Sequence, residues 1–201
     1  MSKILKLMAA LLVVSLLAAC GGKKVTRIES DSVVDLSGRW NDTDSRLVAE
    51  EMINDCLSRP WYERYIADRG NIVPTIVVGT VRNKSHEHIN VETFVKDMER
   101  TLINSGRVEF VANAQAREEL RSELASQEGN ATDETRKESG QEIGADLMLT
   151  GTLNSIVDQE GKEQVMFYQI DLELIDIQSH KKLWIGDKKI KKYISRKAVK
   201  M

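Results

Sequence analysis

The sequence predicts an α/β (α+β) fold in which helices pack on a single mixed β-sheet, with elements in the order αβαβααβββ. In the first part of the chain, segments with apolar residues at helical spacing alternate with short β-branched runs, which is typical of parallel strands joined by helices. Three longer strand-like segments then follow with short turns between them, which indicates antiparallel strands that complete the same sheet. With 201 residues, 41% of them hydrophobic and 30% charged, the chain is suited to one globular domain.

The first helix is expected over residues 43–58, where Asp42 or Thr43 can cap its N-terminus. One face of this helix carries the apolar residues Val48, Ala49, Met52, Ile53 and Cys56. A short amphipathic stretch follows, with the residues Trp61, Tyr62, Tyr65 and Ile66. The β-branched run at 72–81 then predicts a central strand buried on both faces, with Pro74 near its start.

A helix, a short strand and two further helices are expected next. Asn90 can cap the first of these helices. Its apolar positions have the helical period: Val91, Phe94, Val95, Met98, Leu102 and Ile103. Ser105-Gly106 ends this helix, a short strand lies at 108–111, and Asn113 caps a third helix. The inward-facing positions of that third helix are Ala116, Leu120 and Leu124. A fourth helix is expected to end near Ile143-Gly144.

The last three strands are expected at residues 146–157, 164–177 and 182–194. The middle strand alternates polar residues with the apolar residues Met166, Tyr168, Ile170, Leu172 and Leu174. Such alternation predicts one buried face and one face in contact with water. The segments between the strands, 158–161 and 178–181, have the length of hairpin turns.

The N-terminus has the features of an export signal. Two lysines precede an apolar run at 7–19, which is short for a membrane-spanning helix and typical of a signal peptide. The run ends in Leu17-Ala18-Ala19-Cys20, a string that resembles a bacterial lipobox. The resemblance implies removal of residues 1–19 and attachment of lipid to the thiol of Cys20. The alternative is a secretory leader that happens to contain a cysteine.

The chain therefore divides into four expected parts. These are a lipoprotein signal peptide (1–19), the lipidated cysteine with a short tether (20–42), a single globular α/β domain (43–194) and a basic tail (195–201). The charges nearly cancel, with 29 basic and 31 acidic residues, which argues against nucleic acid as the main partner. Two cysteines cannot form a disulfide framework, and Cys56 is expected to be a small buried residue.

The string His86-Glu87-His88 is a candidate metal site that lacks a third ligand. In an extended chain, Glu87 would point away from both histidines. A solvated loop that faces a protein partner is the favoured interpretation. The candidate partner-facing residues are Arg82, Asn83, Lys84, His86 and His88.

No arrangement of residues marks out an enzyme. Asp146 is expected to cap or turn the chain between a helix and a strand, and Asp171 and Glu173 share the polar face of a strand. There is no nucleophile elbow, phosphate loop or dinucleotide motif, so no catalytic residue, cofactor, metal or small-molecule substrate is expected. The lysine-rich segment 187–200 either attracts an anionic partner or keeps an edge strand from aggregating, and the second interpretation is favoured.

Three strings occur in an order that resembles the LpoB family of penicillin-binding-protein activators. They are Trp40-Asn41, Arg82-Asn83-Lys84-Ser85 after a valine-rich strand, and the segment 144–151, Gly-Ala-Asp-Leu-Met-Leu-Thr-Gly. The likeness covers roughly residues 38–190. The resemblance implies a fold shared with the curli secretion lipoprotein CsgG and with the N-terminal domain of TolB.

The resemblance also implies a function. LpoB-like proteins are outer-membrane lipoproteins that face the periplasm and bind a class A penicillin-binding protein, which is a bifunctional peptidoglycan synthase. They stimulate its glycosyltransferase and transpeptidase activities, and so regulate cell-wall synthesis and cell shape, without chemistry of their own. The interface is expected on the loop 82–88, with the aromatic residues Trp61, Tyr62 and Tyr65 as a second candidate or as part of the core. A CsgG-like role in envelope secretion or assembly is the alternative.

The expected tether is short for this family, whose best-known members carry a long proline-rich tether. About 20 residues span at most roughly 70 Å when stretched and ~25 Å as a coil. The domain should therefore stay close to the membrane that holds Cys20. No Asp follows Cys20, which by resemblance to known sorting rules favours the outer membrane, with an inner-membrane anchor left open.

Overall fold

The computed structural model describes residues 24–137, 140 and 142–195. The predicted signal peptide, Cys20 and residues 196–201 of the predicted basic tail lie outside the described residues. The chain divides after Ser32 into two units, of which the first contains a turn closed by the Ser32 N–H and the Glu29 carbonyl at 3.2 Å. Among the helices of the described ranges, none has both the length and the apolar character needed to cross a membrane.

The second unit holds a five-stranded sheet and four helices within the described residues. The helices are α1 (Asp42–Ser58), α2 (Trp61–Asp68), α3 (Glu92–Asn104) and α4 (Ala114–Asn130). The strands are β1 (Thr75–Asn83), β2 (Glu109–Val111), β3 (Leu147–Glu160), β4 (Glu163–Asp176) and β5 (Lys182–Ser195). The strand order is β2-β1-β3-β4-β5, with β1 parallel to β2 and β3 and the last three strands antiparallel. The predicted fold class, a single mixed sheet with helices packed on it, is confirmed.

The hydrophobic core lies between α1, α3 and one face of the sheet. The predicted alternation of β4 is confirmed, because its buried apolar residues are Met166, Tyr168, Ile170, Leu172 and Leu174. The helix α3 buries Phe94, Val95, Met98 and Leu102, whereas Ile103, which was expected on the same face, is exposed. The opposite face of β3 to β5 includes the exposed residues Met148, Ile156, Ile185 and Tyr193.

The N-terminal cap of α1 is Asn41, and not Asp42 or Thr43 as expected from the sequence. The backbone of Asn41 is extended, so its side-chain oxygen can accept the Asp44 N–H at 3.1 Å. In return, the Asp44 carboxylate accepts the Asn41 N–H at 2.9 Å. This reciprocal pair is a capping box, which satisfies two N–H groups at once.

The strand β1 begins later and is less buried than expected. It starts at Thr75, directly after Pro74, and Ile72 remains outside it with 62% of its surface exposed. Only the first three residues of β1 are buried, because β2 pairs with the segment Thr75 to Val77 and no further. The prediction of a strand buried on both faces over 72–81 is therefore wrong for its ends.

The fourth helix occupies another position in the chain. The amphipathic stretch after α1 forms the full helix α2, whereas the described residues before Ile143-Gly144 contain no helix after α4. The observed order of elements is therefore ααβαβαβββ.

The expected inward face of α4 is also wrong, since Leu120 is 55% exposed and α4 buries no residue. The expected inward positions, Ala116, Leu120 and Leu124, form too narrow an apolar stripe on this 17-residue helix to compete for the core.

Candidate functional site

The candidate partner-facing residues lie at the end of β1 and on the loop that leads to α3. Asn83 organises this loop from within. Its amide N–H groups donate to the carbonyls of Glu87 at 2.7 Å and Ile89 at 3.3 Å. Its amide oxygen accepts the N–H and the hydroxyl of Ser85 at 2.9 and 2.7 Å. All of these bonds close local turns, so the loop has one defined backbone path.

Glu87 connects the loop to the rest of the domain. One carboxylate oxygen accepts the Tyr168 hydroxyl at 2.9 Å, and the other accepts the Trp40 N–H at 3.1 Å. Tyr168 is fully buried in β4, and burial together with the neighbouring Glu87 carboxylate raises the pKa of its phenol. The hydroxyl therefore stays protonated and remains a hydrogen-bond donor to Glu87.

The outer part of the loop is attached to β3. The His86 N–H donates to the Ser155 hydroxyl at 3.1 Å, and the Nδ1 atom of the same ring lies 2.9 Å from that oxygen. Two residues earlier, the Lys84 N–H donates to the Leu153 carbonyl at 2.7 Å. The loop is thus held on one side by β3 and on the other by Glu87.

Exposure alternates along this segment. Arg82, Lys84, His86 and His88 are exposed, whereas Asn83 and its odd-numbered neighbours are half-buried. Four of the five candidate residues therefore present side chains at the surface, and Asn83 supports the loop instead. Within the described ranges, no group of three or more His, Cys, Asp or Glu side chains could hold a metal ion.

A second polar cluster holds residues 35–41, the end of the expected tether, against the domain. The Lys192 ammonium donates to the carboxylates of Asp35 at 2.8 Å and Asp44 at 2.7 Å, and to the Arg39 carbonyl at 3.1 Å. Burial alone would lower the pKa of Lys192, but its bonds to the two carboxylates raise it. The same bond lowers the pKa of Asp35. Lys192 therefore remains charged and holds this segment in place.

Trp40 joins the two clusters. Its indole N–H donates to the Ser45 hydroxyl at 2.9 Å. Its ring packs edge-on against Tyr168, with a centroid separation of 5.3 Å. It packs in a tilted arrangement against Phe94, with a centroid separation of 6.3 Å. Its backbone N–H binds Glu87 as described above. The path from the tether into the domain therefore passes directly beside the candidate loop.

Asp146 has a structural position in the Gly-Ala-Asp string. Its carboxylate accepts the Thr75 N–H at 3.0 Å, and its own N–H donates to the Thr75 carbonyl at 2.8 Å. Arg69 of α2 lies 3.7 Å from this carboxylate and forms a 2.7 Å ion pair with Asp176. The pKa of Asp176 is lowered, mainly by the hydrogen bond from the Ser179 N–H, although burial of the carboxylate alone would raise it. Asp146 thus aligns the starts of β1 and β3, and within the described residues no helix leads into it.

The remaining candidate residues have internal partners. In β5, Lys188 pairs with Glu51 and Lys189 pairs with Asp187, which agrees with a solvated and charge-paired edge strand. Cys56 is buried, and burial raises the pKa of its thiol to about 12, so the expectation of a small core residue is confirmed. Trp61 and Tyr65 are core residues, whereas Tyr62 is half-buried and packs against the Arg107 guanidinium.

Sequence reasoning missed the inward roles of Glu87 and Lys192. Glu87 was expected only to point away from the two histidines, and Lys192 was expected only to be one member of a basic run. The alternation of polar residues around Glu87 was the available signal, because the side chain between two exposed histidines points inward. For Lys192 no local signal exists, since both carboxylate partners lie about 150 residues earlier in the chain.

Comparisons with known proteins place this chain in a family. The family model of the peptidoglycan-synthase activator LpoB matches residues 44–190, which is more than half of the chain. No curated protein sequence matches significantly.

Several solved structures are similar. The LpoB C-terminal domain from Salmonella enterica is 15% identical, with a TM-score of 0.36, over 65% of this chain and 93% of that one. The LpoB C-terminal domain from Escherichia coli is 13% identical, with a TM-score of 0.35, over 69% of this chain and 100% of that one. Lipoprotein GNA1162 from Neisseria meningitidis is 18% identical, with a TM-score of 0.36, over 60% and 83% of the two chains. On the extent of the family match, this chain belongs to the LpoB family of peptidoglycan-synthase activators.

Proposed function

We propose that this protein is a lipoprotein, acylated at Cys20 and anchored in the outer membrane, which binds a class A penicillin-binding protein in the periplasm. It stimulates both activities of that synthase and catalyses no reaction itself. The observation that carries the proposal is the family match, which extends over residues 44–190 and so over nearly all of the regular structure. A match of that extent supports a shared role better than a single short motif would.

The contact with the synthase is proposed to involve the exposed side chains of Arg82, Lys84, His86 and His88. The loop that carries them is held by Asn83 and Glu87 through the hydrogen bonds described above. A surface that is already ordered loses little conformational entropy on binding, so more of the contact energy contributes to affinity. Asn83 is proposed to act by holding the loop.

Stimulation requires differential binding. An activator that binds the active and the resting synthase equally well shifts no equilibrium, however tightly it binds. We propose that the loop fits the active conformation better. A preference of 1–3 kcal/mol corresponds to activation by about 5- to 150-fold.

The length of the tether limits where the synthase must be. Since Lys192 holds Asp35 and Arg39 on the domain, residues 21–34 are the part of the expected tether that separates Cys20 from the domain. About 14 residues span at most roughly 50 Å when fully stretched. The regulatory region of the synthase is therefore proposed to extend toward the membrane that holds this lipoprotein.

The test is a polymerisation assay with a purified class A synthase and a fluorescent lipid-linked disaccharide-pentapeptide, with and without the acylated full-length protein. We expect the rate of glycan polymerisation to rise at least about fivefold. Replacing Arg82, Lys84, His86 and His88 together by Ala should abolish the rise. The control variant replaces Lys189 and Lys191, which lie on the face of β5 opposite the core (the open sheet face). This variant should retain the rise in rate.

Two results would contradict the proposal. If the wild-type protein neither binds the synthase nor changes its rate, the activator function is wrong for this chain. If it activates and the fourfold variant activates equally, the function stands and the proposed loop interface is wrong. The anchor is tested separately, because Cys20→Ala should abolish incorporation of labelled palmitate and release the protein from sedimented outer membranes.

A further inference from the structure

Among the described residues, no strand pairs with the second half of β1 on its outer side. The strand pairs with β3 along most of its length, up to Asn83, but β2 covers its other edge only from Thr75 to Val77. The other edge strand, β5, carries a series of lysines of the kind that prevents strand addition. The uncovered segment of β1 has the sequence Val-Gly-Thr-Val-Arg-Asn and contains no lysine.

The backbone groups at this edge can be assigned. The Lys84 N–H donates toward β3, to the Leu153 carbonyl at 2.7 Å. Because successive residues of a strand direct their N–H and C=O groups to opposite sides, those of Val81 and Asn83 point away from β3. Within the described residues, neither of these two residues forms a backbone–backbone hydrogen bond on that outer side. Two donors and two acceptors are therefore free for another strand.

A groove runs beside this edge. It has a volume of about 300 Å³ and lies between β1, α3 and the start of α4. Its apolar lining residues include Val78, Val81, Val91, Val95, Val111 and Ala116. A helix facing a strand edge across an apolar groove is a geometry that accepts an extended peptide as an added strand, with main-chain bonds for affinity and side-chain pockets for specificity.

The charges at the groove favour one class of peptide. Arg82, which follows the groove-lining Val81, and Lys84 are exposed at the end of β1, and neither forms an ion pair within the described part of the chain. On the wall formed by α3, Lys96 is already paired with Glu99 at 2.6 Å. The unpaired positive charge at the strand end complements acidic residues on the incoming segment.

We propose that the outer edge of β1 binds an extended segment of the partner protein as an added strand next to β1. The segment has apolar side chains at alternate positions, which fill the groove, followed by acidic residues opposite Arg82 and Lys84. The assignment of that segment to the synthase rests on the proposed function. The strand-addition site itself rests on the free edge and the groove.

The first test measures affinity of the full-length protein for the class A synthase by surface binding. Val81→Pro removes an outward N–H and should weaken binding at least about tenfold, whereas Val81→Thr keeps that N–H and should bind within about twofold of wild type. If Val81→Pro fails to fold, Val91→Trp, which fills the groove, serves in its place. Its control is Ile185→Trp on the open sheet face, which should bind normally.

The second test identifies the site directly. On binding, hydrogen exchange at the amides of Val81 and Asn83 should slow at least about tenfold, while the amides of α2, which does not line the groove, are unchanged. Binding of the synthase with full affinity to both Val81→Pro and Val91→Trp would overturn strand addition and leave the proposed function intact.

A peptide distinguishes failure of the site from failure of the proposed function. The probe is a synthetic peptide in which Thr and Val alternate, ending in Asp-Asp. If the wild-type protein binds no synthase but binds this peptide, and Val81→Pro does not, then the edge is a strand-addition site for another protein and the synthase assignment is wrong. If neither the synthase nor the peptide binds, the inference is wrong.

Discussion

Replacing Glu87 by Ala tests the central connection of the candidate site. The carboxylate accepts the Tyr168 hydroxyl at 2.9 Å and the Trp40 N–H at 3.1 Å, and thereby joins the loop to β4 and to the segment before α1. Tyr168 has no exposed surface, so truncation of Glu87 removes the acceptor of a buried hydroxyl. Trp40 is half-buried, and its N–H can reach solvent more easily.

The expected loss of stability follows from these two donors. A buried donor without an acceptor costs about 1–3 kcal/mol, and the half-buried Trp40 N–H adds up to about 1 kcal/mol. We therefore expect Glu87→Ala to lower the free energy of unfolding by about 1–4 kcal/mol. In a Tyr168→Phe background the hydroxyl is absent, so the same change should cost only about 1 kcal/mol.

The assay is urea unfolding of the four proteins of this double-mutant cycle, followed by tryptophan fluorescence, with the slope m compared across the set. Glu134→Ala, at an exposed turn position, is the matched control and should change stability by less than about 0.5 kcal/mol. A loss below about 0.5 kcal/mol for Glu87→Ala, or an equal loss in both backgrounds, would refute the assigned role of Glu87.

Two further predictions concern acid stability and strand packing. The pKa of Asp176 is lowered, chiefly by the Ser179 N–H, so its stabilising contribution is complete above the unfolded carboxyl pKa near ~4 and is lost as the pH falls through the folded pKa. Urea midpoints of Asp176→Asn should therefore fall less than those of the wild type from about pH 5 to pH 3, and equal falls would contradict this linkage. Gly151→Ala should cost about 1–3 kcal/mol, because a Cβ atom there would overlap the Asp171 carbonyl. Gly129→Ala, with open space around its Cβ position, is the control, and equal unfolding free energies for the two variants would show that the clash is relieved.

The fold class could be predicted because hydrophobic periodicity is a local property. The alternation in β4 and the helical spacing in α3 each identified a buried face that the structure confirms. The errors occurred where local signals were weak. Leu120 fits a helical period, but its helix has too few apolar residues to be buried. A further helix was expected to end near Ile143, whereas α4 is the last helix in the described residues.

The candidate site could be predicted only in part. The sequence indicated a polar loop after a strand, and four of its five candidate residues lie exposed on or next to that loop. The supporting role of Asn83 was missed, because it depends on the carbonyls that the folded loop brings to its amide group. The open edge of β1 was missed as well, since it results from the shortness of β2.

The sequence by itself determined the alternating pattern of helices and strands, the apolar faces that form the core and the short hairpin turns that bring β3, β4 and β5 together. These properties depend on neighbours within a few residues, where periodicity and turn chemistry act. Only the tertiary structure decided the partners of the polar side chains. Glu87 meets Tyr168 across 81 positions and Lys192 meets Asp44 across 148, and such contacts form only after the sheet and helices have packed.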